Sequence, residues 1–208
     1  HFNGYTPQQS VALYPTDGST EDFAYGELGV ASYTFEVGTD FFQDCATFES
    51  TIYGDNLDAL IYAVKAARTP YLTPGGPDVL DLVASPAGVA PGDAAMLTAT
   101  IDDTRTQQAN GVEPVQAIAA AEYYLDAPPW AAGAVAHAMA AADGSLDSPA
   151  EAVVASVDTA GLAPGRHFLF VRGQDASDAW GTVSAVFLEV AEDSEEFLMF
   201  LPYLQATQ

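Results

Sequence analysis

The chain has 208 residues, 49% of them apolar, enough for one large hydrophobic core or two small ones. Five Lys and Arg stand against 29 Asp and Glu, a formal charge of −24, and so acidic a surface repels phosphate backbones and argues against nucleic acid as a partner. No run reaches the roughly 18 apolar residues of a membrane-spanning helix, and a single cysteine, Cys45, rules out an internal disulfide.

The chain starts at His1 with no signal-peptide pattern, which reads as a start inside a longer polypeptide. Val30-Ala31-Ser32-Tyr33-Thr34-Phe35-Glu36-Val37 is a nearly continuous run of strand formers, as expected of an interior strand. Cys45, in the irregular stretch that follows, reads as a small buried hydrophobe, with a bridge to a cysteine upstream as the alternative. A helix is expected over 56–68. Leu57, Leu60, Ile61 and Val64 fall at i, i+3, i+4 and i+7, giving one apolar stripe. Asp55 with Asp58 resembles a capping arrangement, and Pro70 is a stop. One strand and one helix cannot bury both faces of the strand, so this α/β pattern over 1–70 needs partners beyond itself.

Three prolines and two glycines between Thr69 and Pro77 read as a linker, placed at 71–77. Beyond it the pattern is all-β. Short apolar or alternating runs at 79–85, 94–102, 118–125, 152–157, 167–173 and 184–190 are separated by clusters such as Ala90-Pro91-Gly92-Asp93 and Leu162-Ala163-Pro164-Gly165. Six or seven strands over 78–191 predict an immunoglobulin-like β-sandwich. The alanine-rich stretch 131–142 reads as strand plus loop. Tyr123, Tyr124 and Trp130 read as core aromatics, a binding face being the alternative. Asp175 and Asp178 read as solvated loop acids, part of a calcium site being the alternative. The tail, 192–208, runs from acidic Glu192-Asp193-Ser194-Glu195-Glu196 into an apolar stretch too short to span a bilayer.

Glu36 taken alone reads as a carboxylate reaching solvent where its strand leaves the core. The other reading is a site residue at a strand C-terminus, where α/β sheets build their sites. The surrounding residues favour the second reading. Tyr14-Pro15-Thr16-Asp17-Gly18-Ser19-Thr20-Glu21-Asp22-Phe23-Ala24-Tyr25-Gly26, followed by Ser32-Tyr33-Thr34-Phe35-Glu36, resembles the carboxypeptidase A/T family of zinc carboxypeptidases. In that family a tyrosine precedes a glycine-containing loop and an Asp-aromatic turn, and a strand then ends Thr-Phe-Glu. Tyr14, Tyr25 and Glu36 stand eleven residues apart, matching the family spacing. Asn3-Gly4-Tyr5-Thr6-Pro7-Gln8-Gln9 is similar to the bacterial carboxypeptidase T branch. The resemblance covers 3–68, about a third of the chain, and implies the C-terminal half of such a catalytic domain.

The resemblance implies specific roles. In the family, zinc held by two His and one Glu polarises a water, and a separate glutamate removes its proton and passes it to the leaving amine. Glu36 is the matching residue. Tyr14 matches the substrate-capping tyrosine, carried on the 15–18 loop. Glu21, seven residues after that tyrosine, matches the base of the S1′ pocket and implies a preference for basic C-terminal residues. The same Ser19-Thr20-Glu21-Asp22 also reads as a helix N-cap with acids in the first turn. The family's His-x-x-Glu motif is not here, since none of His1, His137 and His167 has Glu three residues on. The zinc ligands are therefore expected upstream, the metal set of this chain is none, and the chain alone is expected to be inactive. Residues 161–175 with Trp180-Gly181 resemble bacterial immunoglobulin-like modules appended to secreted hydrolases. The expected parent is a secreted bacterial-type zinc metallocarboxypeptidase acting on peptide or protein C-termini. The alternative is a non-catalytic extracellular binding or adhesion module with a relic carboxypeptidase segment.

Overall fold

A computed structural model of the chain describes residues 3–105 and 114–191; the tail expected over 192–208 lies outside them. The chain divides into two units, His1–Pro74 with Arg105–Pro114, and Gly75–Thr104 with Val115–Gln208.

In the first unit the described residues form helices joined by extended chain: α1 (Ser10–Leu13), α2 (Thr20–Gly26), α3 (Cys45–Thr47) and α4 (Tyr53–Ala66). A π-helical turn, Phe48–Ile52, joins α3 to α4 without a break. The helix expected over 56–68 therefore begins earlier, and its cap is neither Asp55 nor Asp58. Asp44 accepts from the Thr47 hydroxyl at 2.7 Å and its amide at 2.9 Å. Those two bonds, the hydroxyl's foremost, hold the Asp44 carboxyl below its ordinary value. Cys45 follows this cap and is exposed, which overturns its reading as a buried hydrophobe: the first turn of a helix with nothing packed over it leaves the thiol in water.

The run 30–37 is extended chain without a partner strand, and no strand occurs among the first unit's described residues. A strand exists only where its N–H and C=O groups pair with a neighbour, so high β-propensity alone leaves an extended segment, and the unit is helical rather than α/β. The apolar stripe of α4 is also not its buried face. Leu57, Leu60, Ile61 and Val64 are 37–77% exposed, whereas Ile52, Asn56 and Ala66 are buried. The covered residues lie on another side of the same helical run.

The second unit has nine strands: β1 (Asp78–Ser85), β2 (Gly88–Val89), β3 (Ala95–Asp102), β4 (Ile118–Leu125), β5 (His137–Ala138), β6 (Ala140–Ala141), β7 (Ala150–Val157), β8 (Gly165–Asp175) and β9 (Ser184–Val190). One sheet has the order β1-β3-β7-β6, the other β2-β9-β8-β4-β5. All pairings are antiparallel except β2 with β9. The chain crosses between the sheets five times, after β1, β2, β3, β5 (at Met139) and β7. This strand order is that of an immunoglobulin-like β-sandwich, and every strand expected over 78–191 is present.

Period-two alternation builds its core. Leu97, Ala99 and Ile101 from β3 and Val153 and Val157 from β7 belong to one sheet. Leu169 and Val171 from β8 and Leu188 and Val190 from β9 belong to the other, and all are buried. Buried acids hold the turns at its edges. Glu151 accepts from the Asp147 amide at 2.9 Å and the Ser148 amide at 2.6 Å, and Asp103 accepts from the Gln116 amide at 2.6 Å. A buried carboxylate costs several kcal/mol unless such donors satisfy it.

Candidate functional site

The catalytic and substrate-binding candidates, Tyr14, Glu21 and Glu36, all belong to the first unit. Tyr14 follows α1 directly, in extended conformation (φ −162°, ψ 147°), with 60% of its surface exposed. The turn after it carries Gly18 at φ +74° and leads into α2. There Ser19 and Asp22 form a reciprocal capping box: the Asp22 amide donates to Ser19 Oγ at 3.2 Å, and the Ser19 amide to Asp22 Oδ2 at 3.1 Å. The helix-start reading of this stretch is thus realised. Glu21 sits in the first turn, half-buried, and takes no part in the box. Glu36 lies on the extended segment with its side chain exposed. Among the described residues, no hydrogen bond or ion pair links Glu36, Tyr14 and Glu21 to one another.

What holds Glu36's segment is a group of residues that sequence reasoning passed over. The buried Asn56 of α4 donates from Nδ2 to the Tyr5 hydroxyl at 3.2 Å and to the Ile52 carbonyl at 2.9 Å. Its Oδ1 accepts from Asn3 at 3.1 Å, and the Tyr5 hydroxyl also accepts from the Gly38 amide at 3.0 Å. No periodicity marks such a group. The only signal was an Asn inside a helix, where a short amide side chain is seldom placed without a partner.

Among the described residues, no three His, Cys, Asp or Glu side chains gather as a metal site. His137 and His167 belong to the sandwich. His137 stacks on Tyr123 with ring centroids 4.8 Å apart. His167 has both ring nitrogens engaged, Nδ1 with Asp126 Oδ2 at 2.6 Å and Nε2 with the Ala163 carbonyl at 2.8 Å. A two-His, one-carboxylate zinc set does not fit the described residues of this chain.

The sandwich has polar clusters of its own, each closed on itself. On the outer face of its five-stranded sheet, Arg172 Nε donates to Glu122 Oε1 at 2.8 Å and Nη2 to the Tyr124 hydroxyl at 2.9 Å. The Tyr124 hydroxyl in turn donates to Glu122. Trp180 covers the guanidinium at 3.9 Å, and the guanidinium lies over the ring of the outward-facing, buried Tyr124 at 5.5 Å. Burial foremost, then the bond to Glu122, raises the Tyr124 phenol above its ordinary range. Asp175, read as a solvated acid, is buried: its Oδ1 accepts from the Ser177 amide and hydroxyl, both at 2.8 Å, and the Ala179 amide at 2.9 Å. Tyr123 is a core residue as expected, while Trp130 is half-exposed. An open groove of about 670 Å³ lies in the same unit, lined by Met96, Tyr123, His137, Ala140 and Val154, and contains none of Glu36, Tyr14 and Glu21.

No protein-family model and no curated protein matches the chain. Among the solved structures similar to part of it are these three. The fibronectin(III)-like modules of CbhA from Clostridium thermocellum are 18% identical over 56% of this chain and 47% of that one, with a TM-score of 0.36. OgpA from Akkermansia muciniphila is 15% identical over 56% of this chain and 29% of that one, with a TM-score of 0.37. The PKD domain of an M14-like peptidase from a Thermoplasmatales archaeon is 12% identical over 56% of this chain and 94% of that one, with a TM-score of 0.33. The chain spans less than half the length of the first two. At these scores the immunoglobulin-like assignment rests on strand order and register, and none of these proteins lends the chain a function.

Proposed function

We propose that residues 3–68 are the C-terminal part of a zinc-carboxypeptidase-type catalytic domain in a secreted protein, with the immunoglobulin-like sandwich appended to it. The observation that carries this reading is the Tyr14–Tyr25–Glu36 spacing, set in a motif that runs from Asn3 to the long helix. Two structural features support it. Tyr14 and Glu36 are exposed on connecting segments, free to meet a substrate. The first unit also leaves many large apolar side chains in water, Phe41 and Phe42 and the α4 stripe among them; exposed apolar surface of that kind marks an uncovered interface.

In this reading Glu36 takes a proton from the attacking water and returns it to the leaving amine, and Tyr14 covers the substrate's C-terminal end. Glu21 pairs with a basic side chain at that end. The described residues offer no zinc set, so the metal's ligands belong to another part of the polypeptide and no step through the metal is assigned to this chain. The substrates are peptide or protein C-termini. Nucleic acid is no partner, on charge grounds, and no helix of the described residues is long and apolar enough to cross a membrane.

The test is made on the polypeptide as its gene encodes it. The reading frame upstream of His1 should contain His-x-x-Glu, and Glu36→Gln should lower kcat by about 10²–10⁴-fold while leaving bound zinc unchanged. On substrates ending in Lys, Phe or Leu, the Lys substrate should be preferred, and Glu21→Gln should erase that preference. A frame without the motif, or a Glu36→Gln protein of full activity, would leave the second reading, a non-catalytic binding or adhesion module.

A further inference from the structure

We propose that Tyr5 and Asn56 are positioning residues for Glu36, acting through the backbone turn at Gly38. This inference rests on the general-base reading of Glu36. In the absence of strand pairing, something else must fix the segment that presents the carboxylate, because an exposed extended chain samples many conformations. Tyr5 and Asn56 supply that anchor.

Asn56 is 4% exposed and fully engaged: two donor bonds, to the Tyr5 hydroxyl and the Ile52 carbonyl, and one acceptor bond, from Asn3. The side chain therefore has one orientation, set from the buried side of the α4 helical run. Its amide directs the Tyr5 hydroxyl, which accepts the Gly38 amide two residues beyond Glu36. Asn3 closes the loop by accepting the Tyr5 amide at 3.1 Å. Gly38 itself has φ +84°, where side-chain-bearing residues are strained. A Cβ there would also lie 3.0 Å from Gln43 Oε1 and 3.1 Å from Ile52 Cδ1. The turn is thus held on three sides: by the Tyr5 hydroxyl, by buried Ile52, and by Gln43, which accepts the Thr39 amide at 3.2 Å. Glu36 is the first chemically active side chain upstream of it, separated only by Val37.

Neither residue reaches a reacting atom in this arrangement; each acts by limiting where Glu36 points. A general base displaced by about 1 Å loses up to about 10²-fold in rate, so the signature is a loss in kcat rather than in binding. The test uses Tyr5→Phe in the polypeptide as encoded, with a blocked dipeptide as substrate, alongside Glu36→Gln. Tyr5→Phe keeps the ring and removes only the hydroxyl. The expected result is a ten- to hundredfold fall in kcat with KM within about twofold. Tyr5→Phe with Asn56→Ser should lose no more than the worse single variant, because the two act as one unit. In the 208-residue chain itself, amide exchange at Gly38 should be slow and should accelerate more than tenfold in Tyr5→Phe. If Glu36→Gln abolishes turnover while Tyr5→Phe retains full kcat, the positioning role is wrong and the general-base reading stands. If Glu36→Gln retains turnover, or the polypeptide hydrolyses nothing, the general-base reading fails and the positioning role falls with it. An unprotected Gly38 amide in the unaltered chain overturns the anchor directly.

Discussion

His167 shows how two short contacts set a protonation state. A neutral imidazole carries one N–H, yet both ring nitrogens face acceptors, the Ala163 carbonyl and the Asp126 carboxylate, so the doubly protonated ring satisfies both. The Ala163 bond first, then Asp126, with Glu189 adding a weaker attraction, raise its pKa above the ordinary 6.5. A raised folded-state value means the stabilisation is complete below the unfolded value and is lost as pH rises through the folded one. The urea midpoint of the chain should therefore exceed that of His167→Phe most at pH 6 and converge with it toward pH 9. A constant gap would show the contribution to be packing alone. A second residue-scale prediction concerns Gly181. A Cβ built there falls 1.7 Å from the Pro77 carbonyl oxygen, a backbone atom that cannot swing aside. Gly181→Ala should cost about 2–3 kcal/mol or more by denaturant titration. The sequence marked Gly181 only as part of Trp180-Gly181 and gave no sign of close packing there; the close approach exists only once Gly76-Pro77 lies against Trp180-Gly181.

Elements in the two units differ in what covers them. β3 places Leu97 at 0% exposure in the sandwich core, and Leu97→Ala should lower stability by about 2–5 kcal/mol. Leu60→Ala on α4 removes the same atoms from a position 44% exposed, and its effect should stay within about 0.5 kcal/mol. Paired urea or thermal melts of the two variants check this; an equal cost at Leu60 would mean that the stripe is covered in solution. Period-two patterning read the strands correctly because β3, β7, β8 and β9 find antiparallel neighbours within the chain. The run 30–37 has the same propensities and no neighbour, so it stays an extended segment. The helix start moved for a related reason. Asp44 competes successfully with Asp55 because Thr47 presents both its amide and its hydroxyl to the same carboxylate.

At the scale of the whole molecule, charge is the dominant property. With 29 acids against five Lys and Arg, a formal charge of −24, the folded chain repels itself. The screening length falls from about 30 Å at 0.01 M to about 3 Å at 1 M salt, so the melting temperature should rise with NaCl over that range. A fall in Tm with salt would mean that the Arg166–Glu189 and Arg172–Glu122 pairs outweigh the general repulsion. By itself the sequence determined the charge and the strands of the sandwich, because these follow from composition and from a repeat that local pairing satisfies. It also carried the Tyr14–Glu36 spacing, which is a property of chain order alone. Only the tertiary structure decided which of those patterns became elements. Burial and pairing belong to neighbours distant in sequence, and such neighbours turned Asn56 inward, left the α4 stripe in water and left Glu36 on an unpaired segment held at Gly38 by the hydroxyl of Tyr5.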